Sequence, residues 1–70
     1  MPQHRALIRI IKAKRKAASL SQAEVARRMH EYQSWMARLE LGQRRIDVVE
    51  FIALGKAIGF DPVEVLKQII

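Results

Sequence analysis

The 70-residue chain has no cysteine, which excludes disulfide staples and thiolate metal sites and leaves stability to helix packing. That absence is compatible with a reducing cytosol, and a cytoplasmic protein is expected. No apolar run approaches the roughly 20 residues that span a bilayer as a helix, so no membrane attachment is expected. The opening Met-Pro-Gln-His-Arg lacks the apolar stretch of a secretory leader, and Ala6 to Ile11 is only briefly hydrophobic. No lipidation signal precedes it. Catalytic groupings are missing as well. There is no legible Ser-His-Asp arrangement, no pair of carboxylates on one face and no glycine-rich phosphate loop, so neither an enzyme nor a cofactor is expected. His4 and His30 stand too far from other ligands to suggest a metal site. Acidic residues are scarce, 7 against 13 lysines and arginines, giving a formal charge of +6. Such a balance points toward a polyanionic partner, although a solvated basic surface has the same composition.

What is present suits a small helical domain. Half the residues are hydrophobic, enough for a compact core, in a chain short enough to bury only about 60% of its unfolded surface. No linker, repeat or low-complexity segment divides the chain, and one domain is expected over residues 1–70. The periodicity predicts an all-α fold of five helices and no strands. The first runs from about His4 to Ala18, with Leu7, Ile10, Ile11, Lys14 and Ala17 on one stripe. Lys12, Lys14, Arg15 and Lys16 gather near its end, where cations suit the helix dipole and would equally suit a phosphate. Ser19-Leu20-Ser21 breaks it. Ser21 with Glu24 three residues on reads as a capping box opening helix two, the hydroxyl taking a backbone N–H and the carboxylate reaching back. Helix three begins near Tyr32 or Gln33 and ends at Leu41, with Gly42 as its left-handed stop. Gln43-Arg44-Arg45 reads as an exposed basic loop. Asp47 caps helix four, Val48 to Ile58, with Ile52 and Ala53 as its best core candidates and Gly59 as its end. Asp61-Pro62 opens helix five through a cap and a first-position proline, and Val65, Leu66, Ile69 and Ile70 supply its apolar face.

The connection between helices two and three is the most informative stretch. Ala26, Met29, Met36 and Leu39 repeat at helical spacing across the short interruption His30-Glu31-Tyr32. So short a connection turns the second helix sharply across the first. Ala26 is small where the axes would approach, and Met29, Met36 and Leu39 would face a shared core. Gln33, Ser34, Ala37 and Arg38 are left on the outer face, where a helix on a basic scaffold suits the major groove of double-stranded DNA.

These residues resemble the Cro and phage-repressor type of helix-turn-helix regulators, also called the xenobiotic-response-element family. The resemblance rests on Leu20-Ser21-Gln22-Ala23-Glu24-Val25-Ala26-Arg27-Arg28-Met29, on Gln33-Ser34 and Ala37-Arg38-Leu39-Glu40, and on Gly42 and Ala57-Ile58-Gly59-Phe60-Asp61-Pro62. It runs from about Leu7 to Leu66. It implies a five-helix lambda-repressor-like domain that binds operator DNA as a symmetric homodimer. It also implies that Gln22 contacts a phosphate and braces the recognition helix. Gln33 and Ser34 would lie nearest the base edges, Gln33 being able to pair bidentately with adenine. Arg38 would reach guanine or the backbone, and Gln43, Arg44 and Arg45 would lie along phosphates. Arg15 and Glu40 would form a partly buried ion pair joining helices one and three. The chain departs from the family pattern at four places. His30 and Ser19 stand where glycine is usual. Trp35 stands where a small polar residue is common, and so does Leu41 before Gly42.

Trp35 has two readings. It would either stack on DNA or join Leu41 and Tyr32 in an exposed apolar patch. The patch reading makes the chain a protein-interaction or dimerisation module, as in an antitoxin or an engineered assembly component. Dimerisation through helix five, with its terminal isoleucines, and the segment after helix three is expected in the regulator reading.

Overall fold

A computed structural model describes residues 2–70. Five helices follow in order: α1 Pro2–Ala17, α2 Gln22–Arg28, α3 Gln33–Glu40, α4 Val48–Ile58 and α5 Pro62–Lys67, with no strand among the described residues. The expected all-α architecture therefore stands. α3 packs on α2 and α1, α4 packs on α2, and α5 closes against α1 and α4. Ile11, Val25, Met36, Leu39, Leu54 and Val65 are the most deeply buried side chains and draw one residue or more from every helix.

The helix ends follow from local chemistry. α1, α2 and α3 all end in the same paired hydrogen-bond pattern, in which two successive backbone N–H groups return to the last carbonyls. Leu20 N–H donates to Arg15 O at 3.1 Å, Glu31 N–H to Ala26 O at 2.8 Å and Gln43 N–H to Arg38 O at 2.9 Å. Each pattern needs a left-handed residue just past the helix. Gly42 supplies it after α3, while Ser19 and His30 adopt φ of 58° and 57° in the same role. The departures from glycine are thus accommodated by strain of order 1–3 kcal/mol each rather than by a wider turn. The cap signals divide. Ser21 Oγ accepts from Glu24 N–H at 3.0 Å, but the Glu24 carboxylate turns to Arg27 and Arg28 instead of reaching back. The complete capping box is at α4, where Asp47 and Glu50 each accept the other's backbone N–H, at 2.7 and 3.1 Å. Asp61 caps α5 with Pro62 in its first turn, as expected.

Three expected core faces are corrected. On α1 the buried residues are Ile8, Ile11 and Arg15. Lys14 and Ala17 are exposed, because the partner at that end of α1 is the Glu40 carboxylate, which draws in Arg15. On α4, Phe51, Leu54, Gly55, Ala57 and Ile58 face inward, and Ile52 is 44% exposed. A helix so continuously apolar offers several stripes, and the Phe51–Phe60 ring contact, centroids 5.6 Å apart, selects this one. On α5 only Val65 is buried, whereas Leu66 and Ile70 are exposed. Close approach of α5 to α4 depends on Gly55, where an added Cβ would lie 2.9 Å from Pro62 Cγ and 3.0 Å from Phe60 O. Gly55→Ala should lower the urea-unfolding free energy by about 1–3 kcal/mol. An unchanged urea midpoint would show that the turn yields freely.

Candidate nucleic-acid interface

α3 has two chemically distinct sides. Trp35, Met36 and Leu39 are buried, while Gln33, Ser34 and Arg38 are exposed and Ala37 is half-buried. The spacing of a 3.6-residue turn places the last four on one side, as the sequence predicts. Arg38 makes no ion pair among the described residues. Its guanidinium, the Ser34 hydroxyl and the Gln33 amide therefore lie on a surface open to an incoming ligand.

A polar chain anchors the start of this surface. Arg15 holds Glu40 in a two-point bond, Nε to Oε2 at 2.6 Å and NH2 to Oε1 at 3.0 Å, and its NH1 donates to Leu20 O at 2.8 Å. Gln22 Nε2 donates to Glu40 Oε1 at 2.9 Å, and Gln33 Nε2 donates to Gln22 Oε1 at 3.1 Å. The direction of the chain is dictated by Glu40. An ionised carboxylate only accepts, so Gln22 must turn its NH2 inward and its carbonyl toward Gln33. Gln33 then donates one N–H and keeps its carbonyl and second N–H free, the acceptor–donor pair that matches adenine's N6 and N7. Burial would push the Glu40 carboxyl upward. The hydrogen bonds from Arg15 and Gln22, helped by the charges of Arg15 and Lys12, outweigh it and hold the group below the ordinary carboxylate range. The structure thus brings Arg15, Gln22, Gln33 and Glu40 together. The family resemblance implies the ion pair and the bracing of helix three separately. That Gln22 joins the two carries no spacing signal, because its partners lie 11 and 18 residues away.

Two expected DNA contacts are corrected. Trp35 is only 7% exposed and belongs to the core. It neither faces a duplex nor forms an exposed patch with Leu41, which is 70% exposed, and Tyr32. The reason is helical phase: Trp35 shares the inward side with Leu39, while Leu41 continues the outer one. Arg44 is not a free loop cation. Its guanidinium lies 4.7 Å from the Trp35 ring centre and makes two bonds to the Glu50 carboxylate, at 3.3 and 2.9 Å. It ties α3 to the capped start of α4. Gln43 and Arg45, in the same loop, are exposed. The Asp47–Glu50 capping box could have been found from its D-x-x-E spacing. The Trp35–Arg44–Glu50 stack has no comparable linear signature.

Comparison with known proteins gives the same architecture. A family model described as a helix-turn-helix domain matches residues 6–67. The structure is similar to that of an XRE-family like protein from Pseudomonas syringae pv. tomato str. DC3000, with a TM-score of 0.92 and 34% identity over 97% of this chain and 83% of that one. No curated protein matches the chain.

Proposed function

Because this chain belongs to the helix-turn-helix domains of the Cro and XRE type, a DNA-binding regulator kind, we propose that it is a transcriptional regulator that binds a palindromic operator as a homodimer. α3 enters the major groove with Gln33, Ser34 and Arg38 toward the base edges, while Gln43 and Arg45 lie along phosphates and Gln22 braces Gln33. The observation that carries this reading is the exposed polar side of α3, whose Gln33 amide is held in one polarity by a buried carboxylate. Exposed apolar side chains support pairing of two copies: Val63, Leu66 and Ile70 at α5, and Val48 after the basic loop. Two copies so joined would set their recognition helices roughly 34 Å apart, in successive major grooves. A chromosomal target places the protein in the cytoplasm.

Selection of bound duplexes from a random library tests the proposal, since it reports binding, base choice and half-site symmetry together. Enriched sequences should be inverted repeats containing a constrained adenine. Gln33→Ala should relax choice at that adenine by about 1–3 kcal/mol while leaving the other positions unchanged. Fluorescence anisotropy on single-base variants of the selected duplex measures it. Absence of any enrichment, together with no binding at low salt, would remove the regulator reading.

A further inference from the structure

The chain's net positive charge is not spread over the molecule. Arg5, Arg9, Lys12, Lys14, Arg15 and Lys16 all lie on α1, which carries no carboxylate. The seven cations outside α1 are matched by the seven carboxylates, all of which also lie outside it. The formal charge of +6 is therefore, in number, the charge of one helix. Its cations are also sorted by direction. Arg15 is buried against Glu40. At 100° per residue, Arg5, Arg9, Lys12 and Lys16 fall within a sector of about 60°, in a row about 16 Å long. Lys14 points the opposite way. All four row members are exposed, and none has a carboxylate within ion-pair distance among the described residues.

The row lies beside the recognition helix. Arg5 and Arg9 line a groove with Ile8, Glu40, Leu41 and Gly42, so this flank of α1 borders the C-terminal end of α3. An adjoining cleft carries His4, Gln43 and Arg45, making the row continuous with the basic loop that follows α3. Lys12 sits close enough to act on the Glu40 carboxyl. Four like charges in a line, none of them held in an ion pair among the described residues, repel one another. A partner that brings its own regularly spaced negative charges relieves that repulsion. A duplex strand carries one negative charge per nucleotide, so a row of cations lying along it meets several phosphates at once.

We propose that Arg5, Arg9, Lys12 and Lys16 form a rail on α1 that binds the sugar–phosphate backbone of duplex DNA beside the groove occupied by α3. The rail rests on the regulator reading above and extends the DNA footprint beyond the helix-turn-helix itself. It supplies affinity without base choice, since phosphates are the same at every position.

The test compares the full chain with two charge-matched variants, using anisotropy on the selected duplex and on a scrambled one across a salt series. Arg5→Gln/Arg9→Gln/Lys12→Gln removes three rail charges. Lys14→Gln/Lys56→Gln/Lys67→Gln removes three charges outside the rail. Every substituted residue is exposed and glutamine is a good helix former, so both variants should retain the parent's helical circular dichroism. The rail variant should flatten the dependence of log affinity on log salt by about two to three units and weaken both duplexes by about tenfold or more. The ratio of selected to scrambled affinity should stay the same. The control variant should change the slope by less than one unit. An unchanged slope in the rail variant, or an equal loss in the control, overturns the rail while leaving the regulator reading in place. If the parent chain binds no duplex at low salt, the regulator reading fails and the rail with it.

Discussion

Replacing Glu40 by alanine should lower folding stability by about 3–5 kcal/mol, as expected when one partner of a buried ion pair is removed and the other is left behind. Arg15 is almost completely enclosed, and two of its three bonded nitrogens point at Glu40. Gln22 also loses its acceptor. A domain of this size is stable by only about 4–10 kcal/mol, so the variant would be near the edge of folding. Urea denaturation followed by helical ellipticity measures the loss, and a change below about 1 kcal/mol would show that water replaces the carboxylate without cost. The same group gives a pH dependence. Glu40 is held below the ordinary carboxylate range in the folded state, so its contribution is complete above the unfolded value of about 4.3. The contribution is lost as pH falls through the lower folded value. Wild-type stability should therefore drop on acidification below about pH 4, and Glu40→Gln should remove part of that drop while being less stable at neutral pH.

Glu40 also marks where sequence reading stops. Positions whose state is set within a few residues were legible: Gly42 and Gly59 as left-handed stops, Asp61-Pro62 as a helix start, and Ala26, Met36 and Leu39 as the seam between α2 and α3. The outer side of α3 follows from the same 3.6-residue period. Choices among equally apolar faces were not legible. α4 reads with Ile52 and Ala53 as its core candidates, whereas Phe51, Leu54 and Ile58 face inward, where Phe51 meets the Phe60 ring across the turn. Polar networks were legible in pairs and not as chains. The Arg15–Glu40 bond and the bracing role of Gln22 are each implied by family resemblance. Their fusion into a relay ending at Gln33 depends on three helices meeting at distances no spacing encodes. Net charge was legible in amount. Its concentration on one side of α1 becomes meaningful only when Arg5 and Arg9 are found bordering the end of α3.

Trp35→Ala should be about as damaging as the loss of Glu40 from the same helix, with an expected loss of about 3–5 kcal/mol from emptying a large aromatic site. The ring is packed in the core on one side and covered by the Arg44 guanidinium at 4.7 Å on the other. Removing it exposes core surface and leaves Arg44 with Glu50 alone. Leu41→Ser provides the contrast: Leu41 is exposed, and its replacement should stay within about 0.5 kcal/mol of the parent. A patch formed by Trp35 and Leu41 predicts the reverse, with both substitutions weakening self-association and neither harming the fold. Thermal melts and sedimentation on the two variants separate these outcomes. Trp35→Phe refines the result, since a smaller ring keeps an aromatic surface for Arg44 and most of the packing. It should recover a large part of the stability and, with it, DNA affinity. In the proposed function Trp35 would act on DNA only through the position of α3, since it holds the inner side of the helix whose outer side carries Ser34 and Arg38. Affinity across the Trp35 series should therefore follow the folded fraction. Base preference should stay fixed until the fold itself is lost.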